Sequence, residues 1–167
     1  MNYRLERLSE EHRKPAIDIL NCYVESGFAA FSDEKLNYDL FDVYLQVSRG
    51  YPAVAVRSDS GETIGFAWLQ FYHPSKAFQR TAEIGYFLRP DYTRCGIGRA
   101  ILELFVDEAR KINIDSILAS MSSLNRPSLA FHLKNGFVEC GRFLNIGRKF
   151  DRDFDLVWMQ RSIQEIP

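Results

Sequence analysis

The stretch from residue 80 to residue 122 restricts the fold of this chain more than any other, because it holds a strand, a glycine-bearing turn, a helix and another strand in direct succession. The first segment, RTAEIGYFLRP, alternates along its length, which is typical of a strand with two distinct faces. One face carries Ala82, Ile84, Tyr86 and Leu88, and the other carries Glu83, Gly85 and Phe87. The turn DYTRCGIGRA leads to a predicted helix over residues 98–111. Because a helix connects the two segments, the short apolar segment DSILASMS is predicted to form a strand parallel to the first one.

The other segments predict elements that complete one domain spanning residues 1–167. Residues 2–8 alternate as a first strand, residues 15–26 and 36–48 show helical patterns, and residues 51–72 predict an antiparallel hairpin that turns at SDSGE. Asn125, Pro127 and Gly136 punctuate a further helix as its cap, its first turn and its end. Residues 137–150 and 155–163 form two β-rich stretches around DRD. The order β-α-α-β-β-β-α-β-α-β-β predicts an α+β fold, a mixed sheet flanked by helices.

The helix after the glycine turn is expected to be amphipathic. Its apolar positions form one stripe that faces the sheet, while the charged residues lie largely outside it. The stripe consists of Ile97, Ile101, Leu104, Phe105, Ala109 and Ile112.

Composition excludes several classes of function. A formal charge of −1 and an isoelectric point near 6.3 lack the basic excess of most nucleic-acid-binding proteins. No apolar run approaches the roughly 18 residues of a membrane span, and the polar start MNYRLERLSEEHRK does not resemble a secretory signal. Neither the three cysteines (Cys22, Cys95 and Cys140) nor the three scattered histidines show metal-ligand spacing. We therefore expect a cytoplasmic protein with reduced thiols, no metal, and neither nucleic acid nor membrane as a partner.

The glycine turn fails two familiar phosphate-binding patterns. A dinucleotide fingerprint needs a third small residue where Ile101 stands, and a P-loop needs Lys-Ser or Lys-Thr after Gly98. Backbone N–H groups at a helix N-terminus can still bind a diphosphate, with Gly96 and Gly98 letting the phosphates approach the backbone and Arg94 and Arg99 adding charge. The alternative is a plain strand-to-helix turn with solvated arginines. The local sequence leaves both open.

Two spaced motifs, YFLRPDYTRCGIGRAIL and then NRPSLAFHLKNGF, resemble the GNAT superfamily of acetyl-CoA-dependent N-acetyltransferases. The superfamily loop reads Gln/Arg-x-x-Gly-x-Gly/Ala, and the corresponding residues here are 93–98, with Thr93 departing from the usual first residue. The segments AEIGYFLRP, FHLKNGF and GRKFDRDFDLVWMQ are similar to the phosphinothricin acetyltransferase branch. The likeness covers nearly the whole chain.

This resemblance implies a three-layer fold with a mostly antiparallel sheet and an acyl-CoA cleft between two splayed, parallel central strands. It implies acetyl transfer from acetyl-CoA to a primary amine, by direct transfer in a ternary complex. The amine belongs to a small molecule (amino acid-like, polyamine or antibiotic-like) or a peptide, and the enzyme is expected to form a homodimer. The implied coenzyme contacts are Tyr86, Phe87, Leu88, Arg94, Cys95, Gly96, Ile97, Gly98, Arg99, Asn125 and Ser128. Asn125 also fits a plain helix cap, and Cys95 is expected to offer its backbone N–H rather than a nucleophilic thiol.

Two titratable residues match catalytic positions of the family. A lysine-like amine has a pKa of about 10.4, so forming its neutral state at pH 7 costs roughly 4–5 kcal/mol, and a base is needed. Glu83 is the candidate base; it lies beside Gly85, where a gap for a ligand is expected. His132 is the candidate acid or thiolate partner, one helical turn after Ser128. A solvent-facing glutamate and a structural histidine are the alternatives.

The substrate residues depart from the family pattern. Phosphinothricin-acetylating relatives carry an arginine pair where this chain has His73 and Ser75, so a bidentate grip on an acidic group is lost. We therefore expect poor use of phosphinothricin. Tyr72 and His73 are candidate substrate contacts, and Phe31 matches a substrate-loop aromatic, with a core position between two helices as its alternative.

The C-terminal hairpin also departs from the branch. Asp151 and Asp153 replace a glycine and a tryptophan of the branch, which adds negative charge and favours a cationic amine.

Two alternative functions stay open. One is a non-catalytic acyl-CoA sensor or scaffold, favoured by Thr93 and opposed by the presence of Glu83 and His132. The other is a protein-interaction domain without a ligand.

Overall fold

The computed structural model describes residues 2–164, which form one seven-stranded sheet and four α-helices. The strands are β1 Tyr3–Arg7, β2 Ala53–Ser58, β3 Thr63–Phe71, β4 Thr81–Leu88, β5 Ser116–Ser122, β6 Val138–Lys149 and β7 Arg152–Ser162. The helices are α1 Arg13–Ser26, α2 Leu40–Val47, α3 Ile97–Lys111 and α4 Arg126–Lys134. None of the helices in this described part of the chain is both long and apolar enough to cross a membrane.

The sheet has the order β1-β2-β3-β4-β5-β7-β6, and its one parallel pair within residues 2–164 is β4 with β5. This confirms the predicted strand-helix-strand unit and the mostly antiparallel sheet. The parallel pair is short: Thr81 faces Ser116, Ala82 faces Ile117 and Glu83 faces Leu118. Both strands continue beyond the last pair without pairing with each other. The predicted splay between the central strands is therefore confirmed.

The two predicted faces of β4 are confirmed, and each face contributes to a different core. Ala82 and Ile84 pack beneath α3 together with the fully buried Phe105. On the opposite face Phe87 packs with Phe66, against α1 and α2. Helices thus cover both faces of β4, and the chain is a three-layer α+β domain.

Helix α3 follows the predicted stripe only in part. Ile101 and Phe105 are fully buried as expected, but Leu102 and Val106 are also buried, at 1% and 4% exposure. Ile112 lies just past the helix end and is 41% exposed. A helix that packs on a sheet buries a wider face than a narrow seam, which accounts for the two additional residues.

Helix α2 begins at Leu40, four residues later than the predicted start at residue 36. The side chain of Asn21 accepts the N–H of Leu36 at 2.8 Å and donates to its carbonyl at 3.1 Å. Because both backbone groups of Leu36 are bonded to α1, this residue does not enter the helix. The connection from α1 therefore remains an irregular loop over residues 27–39.

Candidate active site

The glycine turn presents a row of backbone N–H groups at the N-terminus of α3. Arg94 and Gly96 adopt left-handed conformations with φ of 62° and 85°, and Gly96 caps the helix without a side-chain hydrogen bond. The N–H groups of residues 94–99 donate to no acceptor within residues 2–164. Successive free amides at the positive end of a helix dipole suit an anion such as a diphosphate. The local geometry therefore fits the predicted cradle.

The side chains of this turn differ in their availability. Arg99 donates to Glu103 one helical turn later, at 2.7 Å, whereas the exposed Arg94 forms no ion pair with residues 2–164. Thr93 donates its hydroxyl to the carbonyl of Pro90 at 2.8 Å and so closes the preceding turn. The exposed Cys95 has its Sγ 3.4 Å from the carbonyl oxygen of Thr93. Thr93 therefore has a local structural role, and Arg94 is the arginine free to meet an anion.

The end of β4 offers an unpaired edge. The β5-facing side of residues 84–88 has no strand partner within residues 2–164, because the parallel pairing ends at Glu83. The side chains of Tyr86 and Leu88 pack against the α3 core. The carbonyl of Leu88 already accepts the Tyr23 hydroxyl at 2.6 Å, so its remaining capacity is reduced.

Glu83 lies half-buried at the point where the two central strands separate. One carboxylate oxygen accepts the Ser120 hydroxyl at 3.0 Å, and the other accepts the Gln70 amide at 3.4 Å. The Gln70 carbonyl oxygen in turn accepts the indole N–H of Trp68 at 2.9 Å, which fixes the amide orientation. Burial raises the pKa of Glu83, partly offset by the Ser120 and Gln70 bonds. A held carboxylate with a raised pKa is a better base at neutral pH than an exposed one.

The expected ligand gap at Gly85 is wrong. Gly85 is the cross-strand partner of Trp68, and the indole ring lies directly over it. A Cβ at Gly85 would lie 2.4 Å from the ring, so the glycine accommodates the tryptophan. The open side of Glu83 is instead bordered by Ser120 and by the unpaired ends of β4 and β5.

His132 is 3% exposed and both of its ring nitrogens have partners. Nδ1 lies 2.7 Å from the carbonyl oxygen of Ser128, and Nε2 lies 2.6 Å from the Tyr86 hydroxyl. A carbonyl only accepts, so Nδ1 carries the proton and Nε2 accepts from Tyr86. Burial lowers the pKa of His132 to about 4. His132 is therefore neutral at pH 7, and its ring is bonded to the hydroxyl of Tyr86 on β4.

Asn125 begins α4 as the sequence predicts. Its side-chain oxygen accepts the N–H of Ser128 at 3.4 Å, which confirms the helix-cap interpretation. The Ser128 hydroxyl lies 3.4 Å from Nδ1 of His132. The coenzyme contacts expected of Asn125 and Ser128 stay predictions.

Aromatic side chains border the face of the sheet that carries Glu83. Tyr72 meets Trp158 edge-on with ring centroids 5.9 Å apart, and Trp158 is the cross-strand partner of Ser120. Sequence reasoning missed Trp158, although the alternation of Phe154 and Trp158 along the last strand was an available signal. His73 is exposed, and its Nδ1 accepts the N–H of Ser75 at 3.1 Å in a local turn.

Phe31 lies on the surface rather than between two helices. It is 49% exposed, and its ring stacks on Phe154 of β7 with centroids 6.0 Å apart. The alternative of a core position is wrong, because the loop after α1 folds onto the β6–β7 hairpin instead of turning inward. Phe31 and Tyr72 thus contact the same strand, at Phe154 and Trp158, and these two strand residues are four positions apart, about 13 Å at 3.3 Å per residue.

The negative charge expected at the hairpin is neutralised. Arg148 lies 3.4 Å from the carboxylates of both Asp151 and Asp153. Arg152 lies over the ring of Phe28, 5.3 Å from its centroid, and adds further positive charge. The argument for a cationic amine therefore loses its support.

One histidine and two carboxylates meet elsewhere. Ligand atoms of Glu6, Glu11 and His12 lie within 4.8 Å of one another. Arg57 pairs with both carboxylates, and Nε2 of His12 lies 2.8 Å from Glu6. The arginine accounts for this cluster as an ion-pair network.

Comparisons with known proteins agree with this geometry. A model of the acetyltransferase (GNAT) family matches residues 16–137. The L-amino acid N-acyltransferase MnaT of Escherichia coli strain K12 is 34% identical over 150 residues, which are 89% of this chain and 87% of that protein. The phosphinothricin N-acetyltransferase of Alcaligenes faecalis is 28% identical over 163 residues, 94% of this chain and 81% of that protein.

One similar solved structure contains acetyl-CoA. The crystal structure of a phosphinothricin acetyltransferase from Sinorhizobium meliloti in complex with acetyl-CoA matches with a TM-score of 0.89. The match covers 97% of this chain and 89% of that one at 23% sequence identity. From its family match and its relatives, the chain belongs to the acetyltransferase (GNAT) family and is an N-acetyltransferase.

Proposed function

We propose that the enzyme acetylates the primary amine of an L-amino acid with an uncharged side chain, or of a closely similar small molecule. The relatives named above act on an L-amino acid and on phosphinothricin, which is amino acid-like. The site lacks the arginine pair expected for an acidic side group, and its hairpin charges are balanced. Phe31, Tyr72 and Trp158 instead offer aromatic surface. A peptide with a free N-terminal amine is the second candidate class.

The chain's own groups would hold acetyl-CoA in two places. The N–H groups of residues 94–99 and the guanidinium of Arg94 would receive the diphosphate. The unpaired backbone edge of residues 86–88 would receive the pantetheine, as an added strand does, with Asn125 and Ser128 beside it. Bound acetyl-CoA supplies an activated thioester carbonyl.

Glu83 would take the proton of the ammonium group. Its half-buried carboxylate with a raised pKa, at the mouth between β4 and β5, is the observation that carries the proposed chemistry. Ser120 and Gln70 hold the carboxylate in place, so one of its remaining lone pairs faces the amine. Removing this proton leaves the neutral amine that attacks the thioester.

Tyr86 and His132 would act together on the leaving sulfur. Burial raises the pKa of Tyr86, so its hydroxyl keeps its proton and serves as a hydrogen-bond donor. That single proton points at Nε2 of His132 in the structure and would turn toward the developing thiolate. His132 would therefore contribute by holding Tyr86 rather than by releasing a proton of its own.

An amine panel tests the proposed function. Acetyl-CoA is offered with L-methionine, L-phenylalanine, phosphinothricin, spermidine or a short basic peptide, and free thiol is followed over time. We expect L-methionine and L-phenylalanine to give the highest kcat/KM. The site has no arginine pair that would favour phosphinothricin and no unpaired acidic patch that would favour spermidine or the basic peptide. Fastest turnover with spermidine would contradict the substrate class, and no thiol release with any amine would contradict the proposal.

We also propose a homodimer that forms through the edge strand β6. Val138, Phe143, Leu144 and Ile146 project from it and are 56–67% exposed. A long edge strand with exposed apolar side chains can pair with the same strand of another chain. Light scattering should give twice the chain mass of 19.4 kDa, and Ile146→Asp should yield the monomer. A monomeric native protein would contradict this assembly.

The remaining proposals concern environment and cofactors. We propose a cytoplasmic enzyme that needs no metal and takes neither nucleic acid nor membrane as a partner. Three exposed, unpaired cysteines and a formal charge of −1 support this assignment. Activity that survives dialysis against a strong chelator is the expected result, and its loss, restored by a divalent ion, would contradict the metal-free reaction.

A further inference from the structure

Lys149 is a buried cation outside the residues assigned to the reaction. It ends strand β6 and is 2% exposed. Its Nζ donates to the carbonyls of Gly27 at 2.8 Å and Ala30 at 2.9 Å, and lies 4.9 Å from the ring centroid of Phe150. It forms no salt bridge within residues 2–164, and burial lowers its pKa, an effect partly offset by the negative charge of Asp33. A buried ammonium without a salt-bridge partner costs free energy, so its contacts indicate what it is needed for.

The two carbonyls belong to the loop that carries Phe31. The backbone N–H groups of residues 28–33 donate to no acceptor within residues 2–164, so this part of the loop has few bonds of its own. Phe28 meets the rings of Phe150 and Phe154 edge-on, and Phe31 stacks on Phe154. The hairpin therefore holds the loop by aromatic contacts together with the two bonds from Lys149.

We propose that Lys149 is a positioning residue that sets the place of Phe31 in the substrate site. Its bonds fix the chain on both sides of Phe28, and the Ala30 carbonyl belongs to the peptide that joins directly to Phe31. Without these bonds that peptide is free to rotate, and the Phe31 ring leaves Phe154. The inference rests on the proposed contact between Phe31 and the amine, and goes beyond it by naming what sets the geometry.

The first test needs no substrate. Lys149→Met keeps the side-chain length and removes the donors, and chymotrypsin cleavage after Phe31 is followed by mass spectrometry. We expect this cleavage to become about 10-fold faster, since two hydrogen bonds that close the loop are lost. Cleavage after the fully buried Phe105 in α3 serves as the internal measure of global unfolding and is expected to be unchanged. Equal increases at both positions, or no increase after Phe31, would overturn the proposal.

Arg148→Met is the matched control. Arg148 precedes Lys149 on the same strand, but its exposed side chain pairs with Asp151 and Asp153 and does not reach the loop. We expect its cleavage pattern to equal that of the native enzyme. If Lys149→Met does not fold, Lys149→Gln keeps one donating group and is expected to give a smaller change in the same direction.

The second test separates positioning from general stability. With L-methionine as the amine, Lys149→Met should raise the KM of the amine about 10-fold and leave the KM of acetyl-CoA unchanged. Adding Phe31→Ala should produce no further increase, because both changes remove the same contact. Additive effects, or equal changes in both KM values, would overturn the inference. Failure of the proposed function shows differently, as absent turnover by the native enzyme, while the cleavage test still reports on Lys149.

Discussion

Ser120 and Glu83 are joined by a 3.0 Å hydrogen bond that spans two parallel strands just where they part. Ser120 lies two residues beyond the last paired residue of β5, Leu118, so the bond crosses the beginning of the cleft. It holds the carboxylate at the mouth of the opening and lowers a pKa that burial raises. The position and the basicity of Glu83 thus depend on the same contact.

Glu83→Gln should lower kcat by roughly 10²-fold or more, because the amide cannot take a proton. Its melting temperature should not fall, since the change removes a half-buried charge and keeps the shape. The measurement is thiol release at saturating substrates, together with a thermal melt. Gln46→Glu, on the exposed side of α2, is a surface control that should leave kcat unchanged. A Glu83→Gln enzyme with native kcat would remove the assigned base.

The pH dependence of kcat/KM should show an acidic limb above pH 4.5, the ordinary pKa of a glutamic acid, because burial raises the pKa of Glu83. The base works only when deprotonated, so the rate rises with pH through this limb. Ser120→Ala removes a bond that lowers this pKa, so the limb should move to still higher pH. A limb that moves to lower pH, or disappears, would contradict the role of Ser120.

Gly96→Ala should weaken coenzyme binding, whereas Gly98→Ala should not. Gly96 has a φ of 85°, where alanine is strained by about 1 kcal/mol or more. A Cβ at Gly98 would lie 3.4 Å from the ring of Phe131, an ordinary contact. Calorimetry with CoA should give a Kd roughly 10-fold higher for the first variant and nearly native for the second. The reverse order would contradict the proposed cradle.

His132 should remain neutral down to acidic pH. Burial lowers its pKa to about 4 from 6.5, so between these values the unfolded chain binds more protons than the folded one. The free energy of unfolding should therefore decrease as pH falls from 6.5 toward 4, and His132→Phe should reduce this slope. Denaturant titrations across this range measure it, with the exposed His73→Ala as the control. An unchanged slope in His132→Phe would contradict the assignment.

Gly85→Ala should disturb the position of Glu83 by displacing Trp68. The new methyl group would lie 2.4 Å from the ring of Trp68, which supports Gln70 and through it Glu83. We expect a stability loss of roughly 1–3 kcal/mol and a lower kcat. Gly141→Ala is the matched change, because its Cβ would lie 4.0 Å from the nearest atom of Trp158. The free energy of unfolding and kcat are measured for both variants. Equal values for Gly85→Ala and Gly141→Ala would mean that Trp68 moves away without cost.

Short-range patterns predicted the parts of this protein that depend on neighbours in the chain. The two faces of β4, the parallel partner β5 and the helix cap at Asn125 follow from period, connection length and residue type. The resemblance to a family identified Glu83 and His132, but it did not give their surroundings.

The missed contacts all join distant parts of the chain. Trp68 over Gly85 depends on the register between two strands, and Tyr86 against His132 depends on how α4 packs on β4. Lys149 reaches a loop 119 residues earlier in the chain, which no local pattern reveals. The exposed position of Phe31 follows from that long-range docking.

The three backbone pairs between β4 and β5 divide the sheet into two unequal panels, one of β1 to β4 and one of β5 to β7. An extended molecule laid along the free margin of β4 takes up hydrogen-bonding capacity that a longer β5 would otherwise have satisfied. In the proposed binding mode, coenzyme binding and completion of the sheet would be a single event, with the coenzyme in the place of the missing length of strand.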